Sequence, residues 1–116
     1  MSDDVPPVDR TQQDTIHGRD PNDVRLEQAL QPVGQHSDYV ILSDDERAKG
    51  FVRPVRHAYR HLTCGAVTSM GTKLAETYAR DPGFYSATFC VRCNAHFPVG
   101  VEGEFVWEPT DEKVGT

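Results

Sequence analysis

The chain has little of what most catalytic and membrane machinery is built from. No apolar run approaches the roughly 20 residues that span a bilayer, and no apolar stretch near Met1 has the character of a secretory leader. The expectation is a protein of a reducing compartment, neither secreted nor embedded in a membrane. There are only three cysteines, Cys64, Cys90 and Cys93, and an odd number cannot all pair as internal disulfides, so a disulfide framework is excluded. No histidine is followed two residues later by glutamate, and there is no His-Glu-x-x-His helix, no glycine-rich phosphate loop and no serine-centred elbow. Those absences remove the signatures of zinc deaminases, metalloproteases, nucleotide-binding folds and serine hydrolases.

What the chain does have is a four-residue pattern used twice. His61-Leu62-Thr63-Cys64-Gly65 and Cys90-Val91-Arg92-Cys93-Asn94 each present two metal-type ligands three positions apart. Two ligands separated by two residues reach one ion while the turn between them aims backbone N–H groups at the sulfur, and tetrahedral zinc takes two such pairs. Gly65 and Asn94 follow the second ligand of each pair, and both residue types tolerate the left-handed backbone where such a turn reverses. The pattern predicts a Cys3His site of His61, Cys64, Cys90 and Cys93 holding one structural zinc ion per chain. The rival is a dithiol redox pair, which calls for a Cys-x-x-Cys beside a βαβ pattern absent here. His96, three residues after Cys93, competes with His61 for the fourth position or acts as a donor behind the ligands; His57 reads as solvated or as part of a binding face.

Length and charge shape the rest. With 116 residues, 37% of them hydrophobic, and a net charge of −6, the chain holds one small domain in the size range where metals commonly supplement the core. Residues 1–38 carry eight acids against three arginines and almost no aromatics, which predicts a polar, acidic arm, largely extended or disordered. Residues 39–109 are expected to form the zinc-stapled domain, and 110–116 a mobile tail. The acidity conceals a basic middle: Arg53, Arg56, Arg60 and Arg92 form a candidate positive patch for phosphate or an acidic partner.

Local patterns place a short helical turn at 23–30, with Pro21 early and Pro32 beyond it, a strand at 39–42, and a capping box at Ser43-Asp44-Asp45-Glu46 opening a short helix that Gly50 ends. A strand is expected at 51–56, at a sheet edge or bulged by Pro54. A helix from Thr68 or Ser69 to about Arg80 stacks Met70, Leu74 and Tyr78 on one side as core. A strand over 84–89 then delivers Cys90, and a β-hairpin over 97–107 turns at Glu102-Gly103. Phe105 and Trp107 share a parity and cap the core, Trp107 being also a candidate for a partner interface. The fold class is α+β: a small zinc-ribbon-like domain with one central helix between two zinc knuckles, a C-terminal β-hairpin and an extended N-terminal arm. Four protein ligands leave no open coordination position, so no enzyme activity is expected.

The stretch from Cys64-Gly65-Ala66-Val67-Thr68 through Met70-Gly71, Leu74-Ala75-Glu76-Thr77-Tyr78-Ala79-Arg80-Asp81-Pro82, Phe84-Tyr85, Ala87-Thr88-Phe89-Cys90 and His96-Phe97-Pro98-Val99 resembles a group of small zinc-binding proteins of tailed bacteriophages and prophages, most without an assigned activity. The resemblance covers residues 37–116 and leaves the arm outside. It implies a setting, the bacterial host cytoplasm or the virion, and no mechanism. Two functions fit that setting. One is an accessory or virion-associated protein, decorating a capsid or joining a connector, whose partner is a phage structural protein or a second copy. The other is a nucleic-acid-binding or host-directed regulator using the arginine-rich segment 53–60 and Arg92, with Tyr59 as a stacking platform. Neither calls for a membrane or a small-molecule substrate.

Overall fold

In the computed structural model, which describes residues 5–30, His36 and 38–116, two hairpins built around the paired motifs organise the fold. The first joins β3 (Ala58–His61) to β4 (Val67–Ser69), antiparallel with Tyr59 opposite Thr68. The second joins β5 (Ala87–Cys90) to β6 (Ala95–Pro98), with Cys90 opposite Ala95. Helix α3 (Thr72–Arg80) connects the hairpins, and β7 (Phe105–Trp107) lies along the free edge of β3, giving the sheet order β4-β3-β7. Tyr59, Tyr78, Cys90, Phe105, Trp107 and Val114 pack into one core, where the Trp107 ring meets Tyr78 and Tyr59 edge-on at 5.5 and 6.3 Å. Phe105 and Trp107 do share the inward face, and Trp107 is buried there. The protein is thus a small mixed α/β fold of antiparallel sheets with three helices among the described residues.

The C-terminal hairpin does not form. β6 pairs with β5 and β7 with β3, so the turn expected at Glu102-Gly103 carries the chain from one sheet to another. Gly103 is required at that turn, because a Cβ there would lie 2.5 Å from the Val99 backbone. No strand occupies 51–56 either: the chain bends, and the Val52 and Arg53 N–H groups both donate to the Ala79 carbonyl near the end of α3, at 2.8 and 3.1 Å. Thr68 and Ser69 are spent on β4, so α3 starts at Thr72 with Gly71 as its N-cap. Tyr78 is buried on its inner side and Leu74 half-buried, while Met70 packs on the core from just ahead of the helix.

The N-terminal segment is not an extended or disordered arm over its described residues. β1 (Gln13–Thr15) pairs antiparallel with β2 (Val40–Leu42), and α1 (Pro21–Leu30) buries Val24 against this unit. Arg10 clamps the Asp81 carboxylate through Nε at 2.6 Å and a second nitrogen at 3.0 Å. Helix α2 (Asp44–Arg47) has the expected cap, the Ser43 hydroxyl accepting from the Glu46 N–H at 3.3 Å. The Glu46 side chain, however, turns inward to a buried ion pair with Arg80 at 2.9 Å, both side chains fully buried. Lys49 and the Asp9 N–H also donate to Glu46, and Arg80 donates to the Pro7 carbonyl. Residues of the N-terminal segment therefore serve as partners for charged groups far along the chain, which composition cannot reveal. The C-terminal tail is docked as well: Val114 is buried in the core and Lys113 bridges Val106.

Candidate metal centre

The two knuckles have the same backbone design. The His61 carbonyl accepts from the Gly65 N–H at 2.7 Å, and the Cys90 carbonyl from the Asn94 N–H at 2.9 Å. Gly65 has φ of 77° and Asn94 of 54°, so both occupy the left-handed region that the residue types anticipated. The two turns bring the His61 Nδ1 atom and the Cys64, Cys90 and Cys93 Sγ atoms within 4.8 Å of one another. Cys64 Sγ lies 3.3 Å from His61 Nδ1 and 3.5 Å from Cys90 Sγ, and Cys93 Sγ lies 3.6 Å from Nδ1. The Cys93 N–H points at Cys90 Sγ at 3.5 Å. These four residues lie close enough together to bind a metal ion.

The surroundings fix the knuckles against each other. Tyr59, two residues before His61, donates its hydroxyl proton to the Phe89 carbonyl at 2.5 Å, tying β3 to the strand that ends in Cys90. Thr68 Oγ1 accepts from the Val91 N–H at 3.1 Å, and Arg92 reaches from one knuckle to the Cys64 carbonyl of the other at 3.3 Å. The His61 ring is fully buried and packs against Phe97 at 4.6 Å and Phe105 at 4.7 Å, which also touch each other at 6.4 Å. Its outer nitrogen, Nε2, meets Glu104 Oε1 at 2.9 Å, and that carboxylate also accepts from the Thr63 hydroxyl at 3.2 Å. A carboxylate behind a ligating histidine orients the ring and raises its basicity. The bonds from His61 and Thr63 hold the Glu104 carboxyl below its ordinary value.

Three sulfurs this close cannot all be thiolates without a neighbouring cation. Burial opposes ionisation of Cys90, yet the N–H of Cys93 and the Cys64 thiol outweigh it and hold Cys90 below its usual value. Desolvation and those same two sulfurs push Cys93 up to about 11. A bound divalent ion reverses the second effect, because it favours the charged form of every ligand.

The remaining candidates go elsewhere. His96 faces Tyr39, whose hydroxyl lies 3.4 Å from Nε2, and packs against His36 and Phe89, so His61 is the histidine in the cluster. His57 is exposed beside Thr72. The arginine patch is largely neutralised: Arg56 pairs with Glu112 and lies over the Trp107 ring at 4.8 Å, Arg60 pairs with Glu108, and Arg53 bonds the Thr116 carbonyl. Tyr59 is 3% exposed and cannot serve as a stacking platform. Glu104, Phe97 and Phe105 are the site residues that the local pattern did not indicate. The pairing of β7 with β3, which sets Phe105 opposite His61, brings Phe105 and the adjacent Glu104 there, and the pairing of β6 with β5 brings Phe97. No helix among the described residues is long and apolar enough to cross a membrane. Comparison with protein-family models, curated proteins and solved structures finds no match to this chain.

Proposed function

We propose that the protein is a non-enzymatic binding module whose zinc-ribbon-like centre holds one structural zinc ion. The observation that carries this reading is the filled donor set. Three thiolates and one imidazole suit zinc, and a tetrahedral zinc with those ligands has S···S edges of about 3.8 Å and S···N edges of about 3.6 Å, against 3.5 Å for Cys64–Cys90, 3.3 and 3.6 Å from His61 to Cys64 and Cys93, and no more than 4.8 Å for any pair here. A site with four protein ligands keeps no position for water or substrate, so the ion acts as a staple between the two hairpins. A structural ion also binds to the folded state alone, which makes its affinity part of the folding free energy.

The surfaces held by that staple carry the function. The resemblance to phage proteins supports an accessory or virion-associated role, with a phage structural protein or a second copy as partner. The alternative, a nucleic-acid-binding regulator, loses support from the pairing of Arg56 and Arg60 with Glu112 and Glu108. Elemental analysis should find about one zinc per chain, and Cys90→Ser should lose both the zinc and the folded state. A metal-free chain that melts at the same temperature as the purified protein would refute the staple. Co-sedimentation with intact particles separates the virion role from the regulator, for which a salt-sensitive gel shift is the signature.

A further inference from the structure

A cavity of about 260 Å³ lies between the N-terminal segment and the metal-bearing body, and none of the four metal-site residues lines it. Ile16, His36 and Tyr39 reach it from the N-terminal side, and Leu74 from α3. Rings make much of its wall: Tyr39, Tyr59, Tyr78, Tyr85, Phe89 and His96. The space is half open to solvent beside the core and is large enough to admit a small ring. An apolar cavity of about 150 Å³ holds benzene, and this one has room for a substituted or bicyclic ring.

Its chemistry narrows the occupant. No Asp, Glu, Lys or Arg lines the space, so a charged ligand would lose its hydration without meeting an opposite charge. Three of the wall hydroxyls have spent their protons. Thr88 donates to the Tyr59 oxygen at 3.1 Å, Tyr59 to the Phe89 carbonyl, and Tyr85 to the Val40 carbonyl at 2.6 Å. Their oxygens keep acceptor capacity, so the wall suits a ligand that brings a donor. Burial, reinforced by His36, lowers the His96 pKa and leaves that ring neutral at pH 7.

We propose that this cavity binds a small neutral ring compound with one O–H or N–H donor, of the phenol or indole class. The ligand is bound and not transformed, and the site is separate from the metal centre. The test is an amide NMR titration of the zinc-loaded full chain with phenol and with indole, and with benzoate as the charged counterpart. Phenol and indole should give saturable shifts centred on Leu74, Thr88 and Tyr39, with benzoate at least tenfold weaker. Ala87→Leu and Leu74→Trp each fill the space, and should weaken phenol at least tenfold while the zinc content stays unchanged. Absence of saturation, equal binding of benzoate, or wild-type affinity in both filled variants would overturn the proposal. Should a variant lose its zinc, the comparison of phenol with benzoate on the unmodified chain decides.

Discussion

Glu104 provides the sharpest test of the metal centre, because it bonds His61 and Thr63 of the first knuckle and none of the three sulfurs. Its carboxylate holds Nε2 at 2.9 Å, with Thr63 at 3.2 Å as its second donor, while the Phe97 and Phe105 rings pack against the imidazole. Replacement of such a carboxylate typically weakens metal binding by about 10- to 100-fold. Two features set where each variant falls. The Glu104 side chain is 36% exposed, so solvent screens part of its charge, and the stacked rings keep His61 in place without it. Glu104→Gln preserves an acceptor for the Nε2 proton and removes only the charge; the expected loss is near tenfold. Glu104→Ala leaves Nε2 without its partner and should approach the upper end. The assay is competition for zinc against a chromophoric chelator at pH 7, with melting of the metal-loaded proteins alongside. The stability lost should match the affinity lost, since a ligand that binds only the folded state stabilises it by mass action. Unchanged zinc affinity in Glu104→Ala would refute the argument. So would an equal loss of stability in both variants with zinc binding intact, because Glu104 would then act on the fold and not through the ion.

Three further outcomes follow from the packing. Glu46→Gln breaks the buried pair with Arg80 and should cost about 3–5 kcal/mol, read by denaturant unfolding. Lys49 foremost, then Asp9 and Arg80, hold the Glu46 pKa at about 2 against an ordinary 4.5 despite burial. A depressed carboxyl stabilises the fold fully above its unfolded pKa and less as pH falls, so the difference between wild type and variant should be constant above pH 4.5 and shrink below it; a gap that widens on acidification contradicts the assignment. Val114→Ala removes about two buried methylene equivalents and should cost about 1.5 kcal/mol, whereas no change in the unfolding midpoint would mean that the tail contributes nothing. Acidification should also release the metal, because cysteine and histidine must be deprotonated to bind it. Zinc affinity that stays flat from pH 8 to 5.5 would argue against thiolate ligation.

The metal centre was readable from the sequence because its geometry is local. Two ligands separated by two residues and followed by Gly65 or Asn94 form a turn whatever the rest of the chain does, and the capping box at Ser43 is local in the same way. Helices α1 and α3 follow from prolines, caps and helical spacing, although α3 starts later than the pattern suggests because β4 claims Thr68 and Ser69. Only tertiary structure decided the strand partners. Phe97 and Phe105 look like two arms of one hairpin by spacing, yet they belong to different sheets and both pack against the His61 ring. Nothing in a run of residues states which edge a strand will pair with. The fate of charge was hidden for the same reason: Arg56 and Arg60 read as a patch until Glu112 and Glu108 arrive from about 50 residues away. The sequence determined a two-knuckle metal motif in a small domain. The fold decided the carboxylate behind the histidine, the docking of both ends of the chain, and the ring-lined cavity, because each depends on contacts between distant segments that no local spacing encodes.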